Sequence, residues 1–555
     1  MRGQYRTKTL DQTLAHNPRP VNPAFNTPRW FGLWPGLIVA LLLTVLIVGT
    51  LTAVGSASRP FSVAATLFDS YFLQVVQFTV WQATLSTLIS VILAIPVARA
   101  YARRPAFIGR GILITLMGLP VVMPVIVAVF GIVAVYGRSG LLNTVLQPAG
   151  LTLPLEIYGL TGILLAHTFF NLPLAVRLIL PAWDQVTAEN WRTASTLGMS
   201  SGQLFRFIEW PVISAFLPGV VVIVFLLCFT SFAVVLTLGG GPSATTIEVA
   251  IYQALRFEFD PGQAAILALT QLFLCVCSAL LLIRWLRVLT PTPGRRNDPA
   301  IRPDTAARSG KLLDFSAILV CSVFVLAPIA ALVLSGLRGP LVSVILDIGL
   351  WQAAARSLGI AVTATSLAGV MAFGLATTAR FLTLERRKHQ AKELMLLIGS
   401  MTLAFPPMVI GTGLFLIALR IDLVGSITLL MIATVNAVMV LPYLLRSISP
   451  GLISSGEQYQ KLCAQLGLRG WQRFRRVDWP MIRRPAAFAL ALGGALSFGD
   501  MGVAALFDTT GHITLPVMLY HRMSAYRFDE AAVTALVLAL MCLALFWLVD
   551  RGLSR

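Results

Sequence analysis

The chain has 555 residues, of which 57% are hydrophobic and 12% charged, with a mean hydropathy of +0.82. A soluble protein of this size carries about 25% charged residues, so an ordinary soluble domain is excluded. The net charge of +19 does not point to nucleic acid, because Lys and Arg sit in short loops between apolar runs and no aromatic-interleaved basic domain is present.

A helix needs roughly 20 apolar residues to cross a hydrocarbon core of ~30 Å. The polar N-terminal segment 1–29, with Arg2, Arg6, Lys8, Arg19 and Arg29, is too long and polar for the n-region of a signal peptide and is expected to be retained. Apolar runs follow near 30–54, 72–98, 108–135, 158–181, 211–238 and 262–286. A Pro- and Arg-rich link from Thr290 to Lys311, with Arg295, Arg296, Arg302 and Arg308, separates them from runs near 312–336, 350–379, 394–418, 426–449, 484–507 and 530–549. The expectation is an all-α polytopic membrane protein of about twelve transmembrane helices in two six-helix halves. Its parts are a cytoplasmic segment 1–29, a first half 30–289, a cytoplasmic linker 290–311 and a second half 312–555.

The excess of basic residues in cytoplasmic loops tests that count. With the N-terminus inside, the inner loops hold Arg99, Arg103, Arg104 and Arg110, then Arg192 and Arg206, Arg295 to Lys311, Arg386 to Lys392, and Lys461 to Arg484. The outer loops hold only Arg59, Arg138, Arg256, Arg338, Arg356, Arg420, Arg522 and Arg527, leaving about 34 of the 42 basic residues inside. Both termini are therefore expected in the cytoplasm. An even number of spans per half makes the halves parallel, related by a pseudo-two-fold axis along the membrane normal. Prolines at 96, 120, 124, 173, 406 and 407 fall within spans, where kinking is the ordinary reading and breaks beside a translocation path the functional one.

Five of the six cysteines, Cys228, Cys275, Cys277, Cys321 and Cys542, lie in apolar runs; Cys463 does not. Cys275 and Cys277 are too close for a zinc knuckle and have no His pair, so no metal site is expected.

One polar stretch occurs twice. Leu197-Gly198 to Trp210-Pro211 superposes without a gap on Leu466-Gly467 to Trp479-Pro480 at a shift of roughly 269 residues. The match extends upstream, from Leu172-Pro173, Arg177, Ile179 and Pro181 to Leu441-Pro442, Arg446, Ile448 and Pro450. Each copy reads as helix–Gly–helix on the cytoplasmic face. Gly198 and Gly467 suit a C′ position with φ > 0. Ser200 and Gln203 have capping-box spacing, whereas the second copy has Arg469 in the cap position. Phe205, Ile208 and Trp210, or Phe474, Val477 and Trp479, fall on or near an apolar stripe, and Pro211 and Pro480 open the next span. A membrane-surface amphipath needs only one apolar and one polar face, whereas the same side chains at fixed spacing favour docking of a soluble partner. Arg206 and Arg475 either reach that partner or pair with Glu209 and Asp478.

Within the spans, Asp500 is the most informative charge. A carboxylate near a span centre costs roughly 2.5–3.5 kcal/mol on insertion scales, so it is expected to line a path, to cap a helix broken around Gly499 and Gly502, or to sit near the outer interface. Its counterpart in the first half is placed close to Val234. His167 and Asn171, one turn apart, share a face; hydrogen bonds between packed helices and a substrate contact are the two readings. Glu248, Glu258, Asp260, Asp508, Asp529 and Glu530 are placed in outer loops.

The frame of Gly, nine residues, aliphatic, any residue, bulky apolar and Pro is similar to the signature loop of ABC importer permeases. In that family a Glu-Ala-Ala triplet precedes it; here Arg192-Thr193-Ala194 and Lys461-Leu462-Cys463 stand there, so only Ala194 matches. The resemblance implies coupling helices seated on a separate cytoplasmic ABC ATPase dimer. Ala194, Gly198, Phe205, Arg206, Trp210 and Pro211 would dock in the first copy, with Gly467, Phe474, Arg475, Trp479 and Pro480 in the second. In agreement, the pair Gly310-Lys311 is followed by Leu312 and lacks the upstream glycine of a P-loop. No catalytic residue or cofactor is expected.

Further stretches resemble the fused two-half permeases for thiamine and thiamine pyrophosphate: Phe130-Gly131-Ile132 to Tyr136-Gly137-Arg138, Leu165-Ala166-His167 to Asn171-Leu172-Pro173, Leu238-Gly239-Gly240-Gly241-Pro242 with Thr245-Thr246-Ile247-Glu248, and Ser497-Phe498-Gly499-Asp500-Met501-Gly502. That resemblance implies a bacterial inner-membrane subunit which receives thiamine or its phosphates from a periplasmic thiamine-binding protein. His167, Asn171 and Asp500 would then border the substrate path, Asp500 facing a thiazolium-type cation, and the outer acidic loops would offer a dock for the binding protein. Fused ferric-iron permeases, another small solute and an ion-coupled carrier are the alternatives. A carrier would place several ionisable groups mid-span, where Asp500 nearly stands alone.

Overall fold

A computed structural model describes residues 32–57, 69–138, 140–149, 156–286, 302–305, 308–384, 389–402, 405–508 and 511–554. The expected cytoplasmic segment 1–29 and positions 290–301 of the expected linker, with Arg295 and Arg296, lie outside the described residues. No strand occurs among the described residues.

Twelve principal helices occur among the described residues. They are α1 (Trp34–Ala57), α2 (Ser70–Arg103), α3 (Val125–Tyr136), α4 (Leu160–Ile179), α5 (Trp210–Phe229), α6 (Pro261–Leu286), α7 (Arg308–Arg338), α8 (Ile348–Leu384), α9 (Pro407–Arg420), α10 (Val424–Gln465), α11 (Trp479–Phe498) and α12 (Phe528–Ser554). Eleven helical stretches among the described residues are long and apolar enough to cross a membrane. The expected run 394–418 is the difference, because it divides into His389–Met401 and α9, a helix of 14 residues. Pro406 sits at its N-cap with ψ 138°, and Pro407 opens α9. Neither proline has an N–H to donate, and the residue before a proline avoids the helical region. Pro124, with ψ 135°, starts α3 in the same way after Arg110–Leu116 and Leu119–Val122. The break is thus common to both halves, and at these two positions proline terminates a helix rather than kinking it.

The halves are interlocked through their first helices. α1 packs on α8 and α9 of the second half, and α7 packs on α2 and α3 of the first. Each crossing is close enough to require glycine. A Cβ on Gly131 of α3 would meet the Pro328 carbonyl oxygen at 2.5 Å, and one on Gly413 of α9 would meet the Thr50 side chain at 2.5 Å. Gly36 of α1 adds a backbone donor, its N–H bonding Thr378 Oγ1 at 2.9 Å. Elsewhere small residues bring helices together, as membrane interiors require: α8 buries Ala353, Ala354, Ala361, Ala364, Ala368 and Ala372, and its most extensive contact is with α10.

α5 and α11 each have 20 residues, about 30 Å of helix axis. They start at the repeated segments and end in a break at the far end of the bundle, at Thr230–Phe232 and Gly499–Met501. Short helices follow, Ala233–Leu238 and Gly502–Leu506, and then a returning helix, Ile247–Arg256 and Leu515–Ser524. A hydroxyl from the second helix of each half seats the returning helix: the Ile247 N–H donates to Thr79 Oγ1 at 3.0 Å and the Leu515 N–H to Ser357 Oγ at 2.9 Å.

Candidate functional site

The first repeated segment opens with the helix Ala188–Thr196, capped by Thr187. Gly198 then turns the chain at φ +60°, a conformation that costs a residue with a Cβ. Ser200 and Gln203 form the expected capping box, with both reciprocal hydrogen bonds present. A small core of Val186, Trp191, Ala194 and Leu204 closes beneath the segment. Ala194 is therefore a buried packing residue, and Cys463, also buried, fills the same place in the second copy. The second segment differs upstream: α10 runs unbroken for 42 residues with Pro450 inside it, whereas Pro181 opens a separate turn, Leu180–Gln185, in the first. Gly467 repeats the turn at φ +66°, and Gly470 follows at φ +50° after Arg469, whose side chain makes no cap.

Both copies then contain one π-helical turn, Phe205–Glu209 and Phe474–Asp478, continuous with α5 and α11. Such turns are rare and concentrate at functional sites. Each places an acidic residue at its last position, and both carboxylates are buried. Glu209 meets Arg99 of α2 at 2.6 Å; Asp478 meets Arg380 of α8 at 2.9 Å. Arg206 and Arg475 are exposed, and the guanidinium of Arg206 lies 5.5 Å from the Phe207 ring. Of their two expected roles, pairing with Glu209 and Asp478 is taken by other arginines: Arg99 and Arg302 on Glu209, Arg380 and Arg473 on Asp478.

The first segment is further tied to the described part of the linker. Arg302 pairs with Glu209 and lies 4.4 Å over the Trp191 ring. Asp304 accepts from Ser201 Oγ at 3.3 Å and pairs with Arg103 at 3.1 Å. Arg104 extends the cluster to Asp314 at 2.9 Å. The second segment has Ser455 Oγ on Asp478 at 2.7 Å.

The outward faces of the segments carry large apolar side chains. Leu197 and Leu466, each just before the turning glycine, are 64% and 63% exposed, and Phe207 and Trp471 are also exposed. Phe205 packs against Trp210 at 5.9 Å and Phe474 against Trp479 at 6.0 Å between ring centroids, so these aromatics shape the segments.

Of the expected path residues, His167 and Asn171 are buried within the first half. His167 Nδ1 is 2.9 Å from Ser86 Oγ, and Asn171 Nδ2 donates to Cys228 Sγ at 3.2 Å. Asp500 is partly buried in the break after α11. Its Oδ1 accepts from the Gly502 N–H at 3.2 Å, while Oδ2 has no partner. Helix alignment puts its first-half counterpart at Ser231 and not near Val234, since α5 and α11 end at Phe229 and Phe498. Asn436, which sequence reading passed over, sits beside Asp500 and donates to Ser497 Oγ at 3.0 Å. The repeat shift carries His167 onto Asn436 and could have found it. Glu248, placed by sequence among the outer loops, is in fact buried and accepts from Gln271 Nε2 at 2.7 Å.

Residues 382–552 match the family described as Binding-protein-dependent transport system inner membrane component. The chain is 42% identical over 525 residues to the thiamine transport system permease protein ThiP of Brucella abortus (strain 2308), covering 93% of this chain and 94% of the relative. The corresponding protein of Escherichia coli K12 is 41% identical, with 94% and 97% covered, and that of Haemophilus influenzae 35%, with 92% and 94% covered. The chain belongs to the thiamine transport system permease family. Members of this family are membrane-spanning transport subunits rather than enzymes, which accords with the all-helical, multi-pass architecture. Family membership also gives the duplicated segments a context, because a binding-protein-dependent inner membrane component works with other subunits.

Proposed function

We propose that this chain is the permease subunit of an ATP-driven importer in a bacterial inner membrane. It translocates thiamine, and its phosphate esters, delivered by a periplasmic binding protein. Residues 30–289 and 312–555 act as two pseudo-equivalent halves around one path, with both termini and both repeated segments in the cytoplasm. Each segment docks one copy of a separate ABC ATPase through its exposed face, with Leu197, Arg206 and Phe207 in the first and Leu466, Trp471 and Arg475 in the second. Gly198 and Gly467 set the turns, and Phe205, Trp210, Pro211, Phe474, Trp479 and Pro480 shape the helices behind them. The supporting observation is the matched pair of exposed leucines beside left-handed glycines, each backed by a buried Arg–carboxylate pair. Such a pair links the docking face directly to α2 or α8, so drawing the segments together on ATP binding would move those helices and open the path outward. Purified permease, ATPase and binding protein in sealed vesicles should accumulate radiolabelled thiamine only with internal ATP and despite an uncoupler. Uptake that needs no ATPase and collapses with the proton gradient would establish a secondary carrier instead.

A further inference from the structure

Among the described residues five acidic residues are buried: Glu209, Glu248, Asp304, Asp314 and Asp478. Four of them have an arginine partner within ion-pair distance. Glu248 is the exception. It is 3% exposed, its hydrogen-bond partner is the neutral Gln271, and its helix, Ile247–Arg256, packs against the short helix Gly502–Leu506 that follows Asp500.

These carboxylates come from different halves. Glu248 stands in the first turn of the returning helix Ile247–Arg256, and Asp500 in the break after α11. The neighbours of Asp500 are already at the seam: a Cβ on Gly499 would lie 2.8 Å from Pro124, and Gly502 faces Phe232. Two neighbouring amides leave acceptors unmatched. Gln271 gives its N–H to Glu248 and Asn436 gives its own to Ser497, so Gln271 Oε1 and Asn436 Oδ1 remain unpartnered at 0% and 1% residue exposure. Asp500 Oδ2 is unpartnered as well. Buried acceptors without donors are unfavourable unless something supplies N–H groups or positive charge. The protein supplies no arginine or lysine partner here, although it does so for the other four buried acids.

We propose that Glu248 and Asp500 form one binding site, assembled from both halves, for an organic monocation bearing N–H donors, occupied during passage along the path. The site rests on the permease reading above and names the residues that meet the cation of its substrate. Gln271 and Asn436 flank the carboxylates and offer their amide oxygens to the ligand N–H groups. Because one carboxylate belongs to each half, movement of the halves changes the separation of the two charges. The site is therefore tight when the halves are together and weak when they part, which is what release requires.

The experiment uses the complete transporter in vesicles, with radiolabelled thiamine and thiamine monophosphate as probes. Absence of ATP-dependent uptake by the wild type overturns the permease reading and this site with it. With wild-type uptake established, Glu248→Gln keeps the shape and the hydrogen bond to Gln271 while removing the charge. It should lower thiamine uptake at least tenfold and thiamine monophosphate uptake less than threefold, since the ester's phosphate offsets the ring cation. Glu248→Asp should recover at least a third of the lost uptake. Asp500→Asn should show the same selectivity, but Asp500 also bonds the Gly502 N–H, so Glu248 decides if that variant is not monodisperse in detergent. Thiamine uptake by Glu248→Gln within twofold of wild type, or an equal loss for both probes, overturns the site.

Discussion

Arg99 and Glu209 join the end of α2 to the last residue of a π-helical turn, nitrogen to oxygen 2.6 Å apart, with the Glu209 side chain shut off from solvent. The second half repeats the arrangement with Arg380 and Asp478. In each half the segment that faces outward is thus bolted to the second helix, which also carries the hydroxyl, Thr79 or Ser357, that seats the returning helix at the opposite end. One long helix touches both ends of the proposed transport cycle.

Breaking such a pair by removing one member strands a buried charge. Arg380→Ala should destabilise the protein by about 3 kcal/mol, the low end of the range for buried pairs, because Ser455 and Arg473 remain near Asp478. Adding Asp478→Leu should recover much of that loss. Thermal unfolding of the purified single and double variants gives the cycle; additive effects would reject the pairing as an energetic unit.

Gly198→Val and Gly467→Val test the turns. Open space surrounds both Cβ positions, so the penalty is backbone strain alone, about 1–2 kcal/mol for a left-handed residue. ATP hydrolysis stimulated by the binding protein should be abolished while the helices stay inserted, and asparagine at either position should retain part of it. Full stimulation in both valine variants would rule out the coupling role.

Arg302 makes the two segments unequal. Arg302→Ala removes a guanidinium from both Glu209 and the Trp191 ring. Hydrogen exchange should then accelerate in 199–209 and stay unchanged in 468–478. Equal acceleration in both segments would show that the linker does not brace the first one specifically.

Leu197→Glu and Leu466→Glu should leave the melting temperature nearly unaltered, because exposed substitutions away from packed features shift stability by about 0.5 kcal/mol or less. Each should instead weaken retention of the ATPase during co-purification, and the double variant should lose it. Retention of the ATPase at wild-type levels would place the docking face elsewhere.

Much of this architecture can be read from the chain alone. Apolar runs of spanning length and a repeat at constant spacing follow from local composition, so the all-helical, multi-pass fold, eleven of the twelve expected runs and the turning glycines are legible. The capping box of Ser200 and Gln203 is equally local. The division of 394–418 is also written locally, in Pro406-Pro407, but its effect depends on whether neighbouring helices satisfy the freed carbonyls.

Other features exist only in three dimensions. The π turn that opens each frame-matched segment into its helix has no sequence signature, and without it Glu209 and Asp478 give no sign of facing inward. Their arginine partners lie 110 residues away in the first half, at the end of another helix, and only folding brings them close. Glu248 reads as an outer-loop charge until the returning helix buries it against Gln271. The repeated segment itself is legible from spacing. What tertiary structure decided is which of its side chains face outward and which anchor it, because exposure and long-range pairing are properties of packing and not of local sequence.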